Sequence, residues 1–388
     1  MIAVPILLGL ALPLLAQGPD LEKLRSLPYV SWSAAGADPS KTGVTVHDRS
    51  RTSPGYNLFT DDQSRAFLMD NRGRVVHQWK FPARRQCEFA RVLPDGSALG
   101  ECVNEGVFKV DRNSAEVFSY RSFVHHDVEP LADGGFVVPD WAGSFDYRGR
   151  KVRFERLTFL NREGVAVDHW SLWDHFDELR RLHLPSPLDT PAASNTRKEA
   201  WEYYHLNSVQ ELPSTPLGAD PRFRPGNLLV SFRNVSLIAI LDRATKTILW
   251  SWGPGVLDYQ HMPTMLPNGN ILVFDNGTNR GYSRVVELNP RNRTLVWTYP
   301  SKGQPGFFSK WRGSAQRLAN GNTLICDSDN GRVFEVTREG VTVWEFWSPF
   351  INAQGKRRGI YRLLRAEIPT VPFAVGPPVP VERLKPPR

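Results

Sequence analysis

The sequence predicts an all-β protein, and three observations carry that prediction. A strand–turn–strand unit recurs along the chain, Asn-Gly or Asp-Gly marks most of its turns, and an aromatic residue closes most copies. The segments CEFARVLPDGSALGE, HHDVEPLADGGFVVPD, HLNSVQELPST with PGNLLVSF after an insertion, QHMPTMLPNGNILVFD and GSAQRLANGNTLICD share one plan. Each has an apolar strand, a turn, and a second strand rich in Val, Ile and Leu. Behind each comes a further pair of strands: GVFKVDRNSAEVFSY, RLTFLNREGVAVDHW, LIAILDRATKTILW, RVVELNPRNRTLVWTY and RVFEVTREGVTVWEF. Four short strands recurring at about 40 to 55 residues are the mark of β-propeller blades. The segment GYNLFTDDQSRAFLMDNRGRVVHQW gives the last three strands of a sixth copy, and GIYRLLRAEI near the C-terminus is the candidate for its missing first strand. The expected architecture is therefore a six-bladed β-propeller over residues 55–368.

The remaining segments follow in chain order. Residues 1–16 are an uncharged apolar run, too short to span a bilayer comfortably, and read as a signal peptide for a periplasmic or secreted protein with no stable membrane span once it is removed; an uncleaved membrane anchor is the alternative. Residues 17–54 form an N-terminal extension, and residues 369–388 a proline-rich tail. Cys87 and Cys102 lie equally far from Leu93 and Gly96, which flank the turn, and this sets them opposite each other as a disulfide or as two buried thiols; Cys326 has no evident partner. The plan breaks at about 171–203, where Leu172, Phe176, Leu179 and Leu182 recur at helical spacing after Ser171 as N-cap. A helix and loop there would lie over one face of the propeller, as a lid or as a brace.

With 388 residues, 41% hydrophobic and 23% charged, the chain has material for a large core. Its formal charge of +8 suits an anionic substrate or surface. Nucleic acid is disfavoured, because the Lys and Arg are scattered over strands with no basic recognition helix. Oligomeric state is not legible.

Strand polarity converts the repeat into a site. The first strand of each blade lines the central channel and the second returns antiparallel to it, so the start of the first and the end of the second share one mouth. His126 (or His125), His205 and His261 stand at the start of three successive first strands, while Arg233, Arg280 and Arg332 follow second strands. Imidazole acts as nucleophile, base or acid near neutral pH, and guanidinium grips oxyanions through paired hydrogen bonds. Together they suit transfer of an oxyanion group. No metal is expected, because no His-x-His or HExxH occurs and the arginines oppose a dication. Arg233 and Arg332 have a structural alternative as turn residues bonded to carbonyls. Trp250, Trp252, Trp297, Trp344 and Trp347 read as inter-blade core.

YYHLNSVQEL, SFRNVSLIAILDR, QHMPTMLPNGNILVFDNGTNRG and GSAQRLANGNTLICDSDNGRVFEVT, in that order, resemble the bacterial arylsulfotransferase family over roughly residues 55–350. The resemblance implies a secreted or periplasmic six-bladed propeller that moves a sulfuryl group from an aryl sulfate to a phenolic acceptor, without a nucleotide donor or other cofactor. It also implies that a histidine is transiently sulfated. By motif, His205 and His261 are similar to family histidines, Arg280 to the family arginine, and Asn207 to the residue accompanying His205. Asn276 and Arg233 are expected to bind substrate, with Arg312 as extra cationic support and His126 among the catalytic set. In many relatives a histidine precedes the GAQRL-like stretch, whereas this chain reads FFSKWRGSAQRL, with Trp311 and Arg312 there. The nucleophile is then His126 or His261, transfer is direct, or activity is lost. The alternative is a secreted, non-catalytic propeller that binds an anionic ligand or a protein. A quinone-dependent dehydrogenase propeller is weaker, lacking an adjacent cysteine pair.

Overall fold

Central strands buried on both faces, such as Leu228–Phe232 and Ile271–Asp275, pack a neighbouring sheet on either side, and six antiparallel sheets are arranged as the blades of a β-propeller in the computed structural model. Residues 32–36, 38, 40–61, 63–189, 201–303, 306–366 and 379–381 are described. The leader 1–16 and nearly all of the tail 369–388 lie outside them. No helix among the described residues is long and apolar enough to cross a membrane.

Blade 1 contains Tyr56–Thr60, Arg65–Met69 and Arg74–Lys80, and its inner strand, Leu364–Ala366, comes from the far end of the chain. Blade 2 runs from Cys87–Val92 to Glu116–Tyr120, blade 3 from Glu129–Pro130 to Ala166–Ser171, and blade 4 from Leu206–Glu211 to Ile248–Trp252. Blade 5 runs from His261–Met265 to Thr294–Tyr299. Blade 6 runs from Ser314–Arg317 to Thr342–Trp347, where Gly43–His47 adds an outer strand. Both ends of the chain thus close the ring on adjacent blades.

The apolar core is distributed rather than central, with one cluster at each blade interface. Phe59, Phe67 and Met69 of blade 1, for example, pack on Leu324, Val333, Trp344 and Phe346 of blade 6. A repeated indole contact fastens successive blades. Trp170 donates to the Lys246 carbonyl at 3.0 Å, Trp250 to Pro290 at 3.2 Å, Trp297 to Arg338 at 2.8 Å and Trp344 to Asn71 at 2.9 Å. Each joins the last strand of one blade to the outer turn of the next, satisfying the indole N–H that burial would otherwise strand.

Cys87 and Cys102 are paired in register and joined by a disulfide. The insertion differs from expectation. Ser171 ends a strand instead of capping a helix, and the helix is a single turn, Phe176–Leu179, with His175 at its N-cap and no side-chain cap bond. Leu172, Phe176 and Leu179 are spaced as predicted, but they pack with Phe154, Tyr203 and Tyr204 in the cluster between blades 3 and 4. The described part of the insertion is therefore a brace. The sequence also gave no sign that the blade 3 strands Phe136–Tyr147 and Arg150–Leu160 run on as a long hairpin, against which Trp201–Glu202 pairs in parallel.

Candidate active site at the channel mouth

Six residues, one per blade, stand at or within three residues of the start of the inner strands: Tyr361, Glu88, His126, His205, His261 and Arg312. Backbone geometry aims several of them. His126 has φ 71° and His205 φ 56°, left-handed values that cost a non-glycine residue about 1–2 kcal/mol and are tolerated where packing dictates them. Gly313, at φ +158°, lets the chain beside Arg312 cross the Phe274 ring, since a Cβ there would lie 2.1 Å from it.

The ring is hydrogen-bonded along one side. Tyr361 Oη meets His126 Nδ1, His126 Nε2 faces His205 Nε2 at 2.8 Å, and His205 Nδ1 lies 2.8 Å from Glu202 Oε2. Glu88 Oε2 lies 3.5 Å from His126 Nδ1, and Arg312 stacks 5.4 Å from the Tyr361 ring centroid. Burial, reinforced by the neighbouring histidines and Arg362, holds His126 well below the usual histidine range. Burial lifts Glu88 to about 7 against the opposing charge of Arg312.

The other side is built around His261. Asn276 donates its amide hydrogens to the carbonyls of Ser309 at 2.8 Å and Arg312 at 3.0 Å, so its oxygen faces His261 Nδ1 at 2.7 Å. That oxygen only accepts, so Nδ1 carries the hydrogen and Nε2 the lone pair. Nε2 is buried without a partner. Burial first, then the Arg233 charge, keeps this imidazole well below its ordinary pKa. Arg233 is itself fully buried, with its guanidinium 4.6 Å from the Tyr259 centroid and 5.6 Å from that of Trp311. Its Nε and Nη2 have no hydrogen-bond partner. A buried cation with unused donors beside an unprotonated ring nitrogen is arranged for an anion with an electrophilic centre.

The arylsulfotransferase family model, described as Arylsulfotransferase (ASST), matches residues 99–349. The chain belongs to the arylsulfotransferase family. Among solved structures it is similar to a protein of unknown function from Bacteroides caccae, with TM-score 0.51 and 14% identity over 80% of this chain and 98% of that one. It is also similar to the β-propeller domain of Cps50 (Swd1) from Myceliophteria thermophila, with TM-score 0.46 and 11% identity over 87% and 99% of the two chains. No curated protein sequence matches it.

Within this arylsulfotransferase-family propeller, the structure brings together His126, His205, His261, Asn276, Arg233 and Arg312. Asn207 is buried beside them, donating to the Gln260 carbonyl at 2.8 Å and leaving its own oxygen unpaired. Arg280 is not among them. Its guanidinium pairs with Asp275 at 3.1 Å and lies 4.8 Å from the Tyr282 centroid, while its Nε is buried without a hydrogen-bond partner. The buried cation beside His261 is Arg233 instead. Arg332 likewise turns away, bonding Glu345 at 2.7 Å. Sequence reasoning missed Tyr361, Glu88 and Arg362, although the entries to the first strands of blades 1 and 2, where Tyr361 and Glu88 stand, were open to the same inspection as those carrying the histidines. Arg362 bonds Asp127 at 3.1 Å and the His126 carbonyl at 3.2 Å.

Just beyond the ring, His125, Glu155 and Glu202 bring three potential ligand atoms within 4.8 Å of one another. They form the one such group among the described residues.

Proposed function

We propose that this protein transfers a sulfuryl group from an aryl sulfate ester to a phenolic acceptor, with His261 as the nucleophile. The observation that carries this is the pairing of an unprotonated, unpartnered His261 Nε2 with the unused N–H donors of buried Arg233. Family membership supports the reaction class.

In the first step the Nε2 lone pair attacks sulfur, the bond from sulfur to the aryl oxygen breaks, and the donor phenolate leaves with the electron pair. Nδ1 keeps its hydrogen and donates it to the Asn276 oxygen, which stabilises the positive ring of the sulfated imidazole. Arg233 binds the sulfuryl oxygens as charge shifts among them, the use for which a preorganised buried guanidinium is best suited. Glu88, lifted to about 7, has the pKa of a group that gives a proton to the departing phenolate and then takes one from the acceptor phenol. In the second step the acceptor oxygen attacks sulfur and the imidazole leaves with its lone pair restored. His126 and His205 are the polar wall against which the two aryl oxygens sit. On this basis the missing histidine before GSAQRL does not remove the nucleophile.

We also propose an exported, periplasmic or secreted location. An oxidising compartment suits the Cys87–Cys102 disulfide, and the apolar leader suits export.

The deciding experiment incubates purified protein with 4-nitrophenyl sulfate and a panel of phenols. Nitrophenolate release is expected, with His261→Ala reduced by about 10³-fold or more. Mass spectrometry after brief exposure to donor should find acid-labile sulfation on His261. Saturable binding of the ester by calorimetry, with neither release nor modification, would instead establish the non-catalytic binder.

A further inference from the structure

Three elements that are distant in sequence deliver His125, Glu155 and Glu202 to one place. His125 precedes blade 3, Glu155 lies on the long hairpin, and Glu202 lies on the short strand that pairs with that hairpin. His125 is 2% exposed, lies 4.9 Å from the Trp141 ring, and has no hydrogen-bond partner on either ring nitrogen. Glu155 is fully buried, and its Oε2 is likewise without a donor. Its other oxygen accepts a long bond, 3.4 Å, from the Leu206 amide, and its carboxyl faces that of Glu202 at hydrogen-bonding range. A buried imidazole with neither nitrogen bonded and a buried carboxylate with an oxygen lacking a donor are costly to bury for nothing. Two facing carboxylates need either a shared proton or a cation between them.

We propose that His125, Glu155 and Glu202 bind one divalent transition cation of the zinc type. One nitrogen and two carboxylate oxygens make a donor set of borderline hardness. Calcium takes six to eight oxygens, and copper(I) prefers sulfur. Three protein ligands leave a fourth position open for water. Tetrahedral zinc sets its ligand atoms about 3.4 Å apart, so atoms now within 4.8 Å close by side-chain movements of about 1 Å. Bound there, the ion ties the long hairpin to the segments entering blades 3 and 4. It also fixes Glu202, whose Oε2 lies 2.8 Å from His205 Nδ1, and so sets the orientation of one wall of the channel mouth. The site stands whether or not the protein transfers sulfuryl groups.

The test uses the full mature chain, stripped with chelator and titrated with zinc chloride in a calorimeter. One equivalent is expected to bind, and His125→Gln and Glu155→Gln are each expected to weaken it by about 100-fold. Cobalt(II) added to the stripped protein should give visible absorption bands that His125→Gln abolishes. The melting temperature of the unsubstituted protein should rise with zinc, a readout that stands even where a variant fails to fold. Absence of stoichiometric binding by the unsubstituted protein overturns the site in favour of a shared proton. Binding undiminished in both variants overturns it in favour of surface histidines.

Discussion

Asn276 donates both amide hydrogens to main-chain carbonyls, so only its oxygen is left for His261, and replacing it frees the ring to change tautomer. Asn276→Ala should therefore lower kcat by about 10²-fold with little change in KM, measured on 4-nitrophenyl sulfate at saturating acceptor. A pH profile tests Glu88. Its folded pKa of about 7 lies above the ordinary carboxylate value, so the group is neutral below that pH and anionic above it. The groups around it are Arg312, Tyr361, Arg362, His126 and Glu101. A new negative charge near an anionic ester should raise KM as pH climbs through 7, and Glu88→Gln should flatten that rise. Burial also places the protonation of His261 well below pH 6.5, so kcat/KM should show no acid limb at the ordinary histidine pKa. At this scale the sequence was partly legible. Histidines at matched register were visible, because a rare residue type repeating at one strand position stands out. The different surroundings of Arg233 and Arg280 were not, because both follow second strands and only the fold shows that one is fully buried and the other pairs with Asp275.

The closing strand Leu364–Ala366 is short, and its hold on the ring depends on side chains as much as on the ladder. Arg365 reaches Glu335 of blade 6 at 2.7 Å, Asn57 of blade 1 at 2.9 Å and the Ser53 carbonyl at 2.7 Å, all buried. Removing one partner of a buried pair leaves the other charge uncompensated, a loss of about 3–5 kcal/mol. Arg365→Met should show that loss in urea unfolding, and the double variant with Glu335→Met should recover most of it. Blade strands could be read from sequence because turn chemistry and runs of Val, Ile and Leu recur together in them. The insertion misled because Leu172, Phe176 and Leu179 have helical spacing, yet they enter a core already formed by Phe154, Tyr203 and Tyr204. Tertiary packing, not helix propensity, sets their conformation.

For the whole molecule, the segment beyond Arg358 supplies an inner strand, the contacts of Arg365 and two members of the channel mouth, Tyr361 and Arg362. A chain ending at Arg358 should therefore lose cooperative unfolding and sulfuryl transfer together, read by urea denaturation and nitrophenolate release. A synthetic peptide covering 359–381, added in trans, should restore part of both. Closure by the two chain ends also dictates a timetable. Blade 1 is the first to be made and the last to be completed, so its innermost edge stays open while five other blades emerge. At about 5–20 residues per second that interval lasts tens of seconds. An unpaired edge is an invitation to the wrong partner. A protein built this way gains from delaying assembly until every strand is present at once.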